Sequence, residues 1–394
     1  MIELFEKTKS PLLSEGEARA RVVAFYLPQY HVIPENESWW GESFTDWVNV
    51  RRARPLFAGH YQPRVPLDEN YYDLKRVDTI RWQIGLAQRF GVAAFCHYHY
   101  WFEGRQLLER PTNLMLGHRE IDFPFCLAWV NASWSRRWKG DRSVNPVLVR
   151  QTYPSGRAGW LEHFDYLCRA WTDPRHLLVD GKPVFLIYSP HAIPRVGEIL
   201  DLWREETARR GLAGIHVVAM QLFQFLSRSF LQHFDAVLSY QPASAMFIPA
   251  AGDSLTSTIS MERYLRGLPS GIAEVLRSFR YERRPRLRFH NYDDLWARII
   301  QAQQSASPRS YPGAFVDWDN TARYAEGARI VAGSTPERFQ YWMSQLVSSM
   351  SERPPEQRLI FLNAWNEWAE GAYLEPDQRS GHAYLEALRA AVVD

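Results

Sequence analysis

The sequence predicts an α/β chain folded as a (β/α)8 barrel of the TIM type, with long insertions after strands one and six. Eight short apolar runs recur along the 394 residues, and helical patterns lie between several of them. The runs are continuous rather than alternating, as expected for strands covered on both faces. Strand, helix, strand, repeated to eight, is the arithmetic of this barrel. An open doubly wound sheet is the alternative. It usually announces its ligand with a Gly-rich first turn, and none follows the first run.

The runs are VVAFYL (22–27), VAAFCHY (92–98), FPFCLAW (123–129), PVFLIY (183–188), IHVVAM (215–220), DAVLSY (235–240), GAFVDW (313–318) and RLIFLN (358–363). Residues 73–90 read as a helix with Leu74, Val77, Trp82 and Leu86 inward, stopped by Gly91. Residues 158–171 put Trp160, Leu161, Phe164, Leu167, Cys168 and Trp171 on one stripe. A third helix spans 195–210 and stops at Gly211. Thr335 followed by Pro336 opens another, with Phe339, Trp342 and Leu346 inside. The last helix is 382–392. A single domain over 1–394 is expected, carrying an aromatic-rich loop at 28–72 and an insertion at 241–312. Loops this long are usually lids or decorations.

Composition excludes several classes. The balance of 46 basic and 44 acidic residues gives a net charge of +2, so no bulk pull toward nucleic acid or membrane follows. No apolar run is long enough to span a bilayer. No signal peptide is visible at the N-terminus, which suggests a cytoplasmic location. Cys96, Cys126 and Cys168 do not make a disulfide framework. A reducing compartment is the simpler reading. The aromatic share is high, 14%, with 16 Trp and 19 Tyr, and tryptophan excels at stacking.

Barrel chemistry sits at the C-terminal strand ends. There the chain places Tyr26 and Gln29 after run one, and His97 and His99 at the end of run two. Trp129, Asn131 and Trp134 follow run three, Tyr188 run four, and Tyr240 run six. Run seven ends in Asp317 and Trp318, and run eight in Asn366, Glu367, Trp368 and Glu370. Loop 28–72 adds Trp40, Trp47, His60 and Tyr61. Flat rings to stack and polar groups to grip hydroxyls suit a sugar site. His97 and His99 could instead be buried hydrogen-bonded histidines, or bind a metal with Asp317 or Asp319, although no third ligand is spaced to support one. The Arg-rich stretch 277–288 reads as solvated surface, or as a contact for an anionic glycan or phosphate.

Glu367 and Glu370 stand out. Three apart, they share one side of a helical turn, with Cβ atoms about 5–6 Å apart. Retaining glycosidases hold their carboxyls about 5–5.5 Å apart and inverting ones about 6.5–9.5 Å, so spacing leaves both outcomes open. Beside Trp365 and Trp368 and another carboxylate, one Glu is expected to stay protonated near neutral pH and act as the acid.

Four stretches, AFYLPQYHVIPENESWWGESFTDWVNV (24–50), ARPLFAGHYQPRVP (53–66), GAFVDWDNTAR (313–323) and FLNAWNEWAEGAYLEPD (361–377), together resemble the WbsX-like family. Its members occur in polysaccharide and O-antigen gene clusters, are often labelled glycosyltransferases, and are related to the endo-α-mannosidases of glycoside hydrolase family 99. The resemblance runs from about residue 20 to the C-terminus. It implies a metal-independent barrel with an N-E-W-x-E motif, matched by Asn366, Glu367, Trp368, Ala369 and Glu370. It further implies that the first Glu removes the sugar 2-hydroxyl proton to give a 1,2-anhydro sugar, and that the second protonates the leaving oxygen and then activates water. Glu367 would be the base and Glu370 the acid. Family 99 enzymes typically have His where this chain has Ala369.

The expected function is therefore that of a glycoside hydrolase acting on an oligosaccharide or polysaccharide, with no cofactor, no metal and no nucleic acid. A glycosyltransferase is the second reading. No phosphate-cradling Gly-rich loop supports it, although Asp317-Trp318-Asp319 has the D-x-D form. A non-catalytic glycan-binding module is the third.

Overall fold

The computed structural model describes residues 18–135, 146–223, 226–247 and 287–393. The parallel barrel strands are β1 (Arg21–Tyr26), β2 (Val92–Phe102), β3 (Phe125–Trp129), β4 (Lys182–Ile187), β5 (His216–Gln221), β6 (Ala236–Ser239), β7 (Ser310–Tyr311), β8 (Gly313–Phe315) and β9 (Leu359–Asn363). Their order in the sheet is β7-β6-β5-β4-β3-β2-β1-β9-β8. Only Pro312 separates β7 from β8. Proline has no N–H to give a ladder, but its carbonyl accepts from the Phe361 amide at 3.0 Å. β7 and β8 thus form one stave, paired with β6 on one side and β9 on the other. The result is a nearly closed parallel barrel, as the run–helix alternation predicts.

Helices α1 (Val77–Arg89), α2 (Arg110–Gly117), α3 (Arg157–Trp171), α4 (Val196–Arg209), α5 (Tyr292–Gln304), α6 (Pro336–Ser348) and α7 (Ala383–Val393) follow the strands. At α6 the Thr335 hydroxyl accepts from the Arg338 amide and Pro336 occupies the first turn, the combination that starts a helix cleanly. Helix α1 begins at Val77, later than the expected 73. Leu74 is still buried, but its amide is spent on the Tyr30 carbonyl at 3.0 Å. Most of the insertion, 248–286, and all of the Arg-rich stretch except Leu287 and Arg288, lie outside the described residues.

Strand phase decides which side chains meet the lumen. On β1, Phe25 points inward and packs on Tyr98, Tyr240 and Phe361 with ring centroids 5.4, 5.2 and 6.0 Å away. Its neighbour Tyr26 points outward, donating to Gln83 of α1 at 2.6 Å. On β2, Tyr98 therefore faces the lumen, while His97 and His99 face the helices. Side chains alternate with period two, so a strand end offers only every second residue to the mouth. The three cysteines are free and buried, and behave as small hydrophobes. Among the described residues no helix is long and apolar enough to cross a membrane.

Candidate active site at the strand ends

After β9 the chain does not enter an ordinary helix. The Trp365 amide donates to the Phe25 carbonyl at 2.8 Å, carrying the segment across the end of β1. Asn366 then acts as a strut: its side chain accepts from the Leu27 amide at 2.7 Å and donates back to the Leu27 carbonyl at 3.0 Å. Residues 366–367 pair antiparallel with 372–373, and Trp368–Glu370 form a single 3-10 turn. Gly371 closes it at φ +63, where a Cβ would sit 2.9 Å from the Asp319 backbone nitrogen. Only glycine combines that conformation with so close an approach. The Asp319 amide in turn donates to the Glu370 carbonyl at 2.7 Å.

This turn aims both glutamates at one guanidinium. Arg323 Nη1 lies 2.6 Å from Glu370 Oε1, and Nη2 lies 3.1 Å from Glu367 Oε2 and 2.7 Å from Asp46 Oδ2. Asp46 is completely buried, Glu367 is 6% exposed, and the Glu370 side chain is 16% exposed. Arg323 comes from a short helix, Thr321–Tyr324, started by Asp319: its carboxylate accepts from the Thr321 amide at 3.0 Å and hydroxyl at 2.6 Å. Asp46 heads another, Asp46–Arg52, in the aromatic-rich loop. The site is thus assembled from three distant pieces of sequence.

Electrostatics follow from the count. Three carboxylates surround one guanidinium, so full ionisation would leave excess negative charge in a buried place. Burial pushes Glu367 up to about 8, opposed by Arg323 and reinforced by the charges of Glu370 and Asp46. Burial also raises Glu370, again opposed by Arg323. The proton belongs to the pair rather than to either member. One carboxyl protonated beside one ionised is what acid–base chemistry requires.

The tyrosines Tyr98, Tyr100, Tyr188 and Tyr240 stand near enough for the pair's charge, added to burial, to raise their pKa values. Tyr98 and Tyr240 share a hydrogen bond at 2.9 Å between their hydroxyls. Trp134 packs edge-on against Tyr100 at 5.0 Å. Gln29 is buried beside them, and its carbonyl accepts from the Asp46 amide at 2.9 Å. Of the residues singled out in the sequence, Gln29, Trp134, Tyr188 and Tyr240 therefore gather with Glu367 and Glu370.

Others are placed behind the site. Trp47 and Trp368 lie 5.6 Å apart, and the Trp368 ring stacks on Tyr373 at 3.8 Å. The Trp47 indole N–H donates to the Tyr72 carbonyl at 2.9 Å, and that of Trp368 to Glu375 at 2.7 Å. These rings support the turn and leave little face for a sugar. His60 donates through Nε2 to Asp319 at 2.8 Å, because its Nδ1 accepts from the Leu56 amide at 3.0 Å. Trp40 stacks on Phe44 at 5.7 Å. Trp318 is half-buried, its carbonyl held by the Val331 amide at 2.8 Å.

A third group does not reach the rim, and the expectation for it is corrected by strand phase. Tyr26, His97, His99 and Trp129 lie between barrel and helices. His97 stacks on Tyr26 at 4.6 Å, and His99 bonds to His163 of α3 at 2.9 Å. Burial lowers both His97 and His99 to about 3, so each is neutral. Trp129 packs edge-on to His163 at 4.6 Å. Asn131 braces β3 to the loop after β4, exchanging bonds of 2.8 Å with Ser189. Asp317 and Asp319 do not form an open D-x-D pair, since Arg64 Nη2 approaches them at 2.9 and 3.8 Å.

Sequence reading passed over Arg323 and Asp46. Both lie inside the motifs quoted above, in DNTAR and FTDWVNV, but nothing in local spacing joins positions 277 residues apart.

The family model described as Glycosyltransferase WbsX matches residues 22–388. The chain belongs to the WbsX family. This is a carbohydrate-active family. Among its relatives, "Uncharacterized protein WxcX" from two strains of Xanthomonas campestris pv. campestris is 37% and 36% identical over 374 residues, 95% of this chain. The WbsX chain spans about half the length of these relatives, 50%. Among solved structures, a GH99 endo-alpha-mannosidase from Bacteroides thetaiotaomicron superposes with a TM-score of 0.53 at 14% identity, covering 95% of this chain and 96% of that one. A "Glycoside hydrolase-like protein" gives 0.58 at 13% identity, covering 99% and 98%. At such identities the likeness is one of fold.

Proposed function

We propose that this WbsX protein is a glycoside hydrolase that cleaves a bacterial-type surface polysaccharide, with Glu367 and Glu370 as its acid–base pair. The observation that carries the reading is the shared Arg323 clamp, which holds the buried Glu367 and the partly exposed Glu370 on one guanidinium. Burial raises both carboxyls, so at rest a proton is shared by the pair. A sugar 2-hydroxyl donating to Glu367 favours its ionised form, since a hydrogen bond to the charged state lowers a carboxyl's pKa. The proton then resides on Glu370, next to the leaving oxygen. Glu367 acts as base on the 2-hydroxyl, which attacks the anomeric carbon as the bond to the leaving oxygen breaks. Glu370 protonates that oxygen and afterwards takes a proton from the water that opens the anhydro ring, while Glu367 returns its proton to the 2-oxygen as the bond between C1 and that oxygen breaks. Mannose is the sugar suggested by the solved relatives' names, with the contacts of Ala369 left to differ.

The competing reading is a glycosyltransferase, which the family description favours. Incubation of the protein with a panel of surface polysaccharides, and separately with sugar nucleotides plus acceptors, distinguishes them. Hydrolysis creates new reducing ends and shorter chains without a nucleotide donor. Extension of an acceptor only when a sugar nucleotide is present would replace the hydrolase reading.

A further inference from the structure

Behind the turn that bears the glutamates lies a cleft of about 160 Å³ whose lining includes Gly371 but neither glutamate. A single water needs only about 10–15 Å³ by this measure, so the space suits something larger. Its floor is buried, made by Val316, Tyr373 and Asp377, and its mouth carries the exposed Arg379. We propose that this cleft is an accessory site for one neutral sugar unit, separate from the acid–base pair; the proposal rests on the glycan-cleaving reading.

The cleft's chemistry selects that ligand class. Barrels often hold phosphate in this region, where the loops after the seventh and eighth strands meet helix N-termini. Here two guanidiniums, Arg64 and Arg379, are balanced by two carboxylates, Asp317 and Asp377. A dianion would meet both acids, whereas a neutral polyol meets donors and acceptors on one wall. Arg379 lies over the Tyr61 ring at 4.8 Å, with Arg64 over the same ring at 4.9 Å. Arg379 is exposed at the mouth, with N–H groups to offer. Asp317 accepts from the Trp318 amide at 2.8 Å and from Arg64 at 2.9 Å. A carboxylate has further lone pairs, and burial raises this one's pKa, so a sugar hydroxyl donating to it would relieve its desolvation. Asp377 is different: it is already satisfied by Tyr61, Tyr373 and the Ser380 amide at 3.2, 2.7 and 2.6 Å, and so shapes the floor.

The test is saturation-transfer NMR with D-mannose, D-glucose, D-galactose and L-rhamnose, and with D-galacturonate and inorganic phosphate as competitors. Wild type and Glu370→Gln are expected to give transfer to at least one neutral sugar. Arg379→Ala, at an exposed position where folding is safe, should weaken it about tenfold or more through loss of charged hydrogen bonds. Ser380→Trp, which fills the cleft, should abolish it, with a melting curve to verify the fold. Four results overturn the proposal: no transfer from any neutral sugar, transfer unchanged in both cleft variants, transfer lost in Glu370→Gln but kept in Arg379→Ala, or displacement of the sugar by phosphate. Polysaccharide cleavage by the wild type alongside any of these would leave the hydrolase reading standing. Sugar binding in the cleft without any cleavage would count against that reading alone.

Discussion

Arg323 Nη2 sits 2.7 Å from Asp46 Oδ2, joining the segment after β1 to a short helix after β8, and both side chains are buried. The same guanidinium then reaches Glu367 and Glu370. Asp46 thus fixes the arginine's direction, and the arginine fixes the separation of the glutamates. Burial alone would lower the Arg323 pKa, but the three carboxylates outweigh it and raise it well above the usual value. It stays charged.

Removing one partner of such a buried cluster is costly. Arg323→Met should destabilise the fold by about 3–5 kcal/mol, read by chemical denaturation, because it strands three acids around an apolar chain. Asp46→Asn is gentler. Asp46 raises both glutamates, so its neutralisation should shift the alkaline limb of the pH–rate profile to lower pH. An unshifted limb with wild-type rate would separate Asp46 from the chemistry.

Stability should respond to pH in a defined direction. Glu367 is raised to about 8 and Glu375, buried against Trp368, Gln83 and Tyr72, to about 7, in each case chiefly by burial. A carboxyl with a raised folded-state pKa adds stability below its unfolded value, about 4.3. That stability is lost as pH rises through the folded value. Denaturation midpoints should therefore fall between about pH 4.3 and 8. Glu375→Gln should flatten the lower part of that slope. A slope unchanged in this variant would mean that Glu375 does not titrate there.

Gly371→Ala should distort the turn that presents Glu370. The positive φ and the 2.9 Å approach to the Asp319 nitrogen leave no room for a methyl group. Strain of this kind costs of order 1–3 kcal/mol. Activity should fall more than stability, because a 1 Å displacement of a catalytic group can cost about 10²-fold. Normal turnover in Gly371→Ala would show that the turn tolerates movement.

His99→Ala offers the opposite pattern. His99 holds His163 at 2.9 Å behind the barrel wall. Its loss should cost about 1–3 kcal/mol from the unsatisfied partner and leave KM unchanged. A raised KM with intact stability would return His99 to the substrate side.

The barrel was legible because each buried strand is a continuous apolar run and each helix carries its stripe. Thr335 and Pro336 marked a helix start that the structure reproduces. Phase along those runs was not legible. In HYHYW both faces are buried, one by the lumen and one by helices, so no polar alternation reveals that Tyr98 and not His97 looks inward. The segment after β9 was conspicuous through its acids and rings, but the rings turned out to be support: Trp365 and Trp368 are fully buried. The clamp on the two glutamates was not legible, because Arg323 and Asp46 arrive from elsewhere in the chain. Contacts across such sequence distances leave no periodic signal.

The central claim is that Glu367 and Glu370 perform the chemistry, and it meets its most direct test in two substitutions. On a polysaccharide that the wild type cleaves, Glu367→Gln and Glu370→Gln should each lose about 10²–10⁴-fold in rate, with folding verified by denaturation. Replacing the natural leaving group by a good one such as a nitrophenolate should restore Glu370→Gln most, because an easy departure needs no proton. Glu367→Gln should gain little, because a missing base is not replaced by an easy departure. Wild-type turnover in either variant on that polysaccharide would contradict the assignment outright. Rescue of Glu367→Gln instead of Glu370→Gln would reverse the two roles.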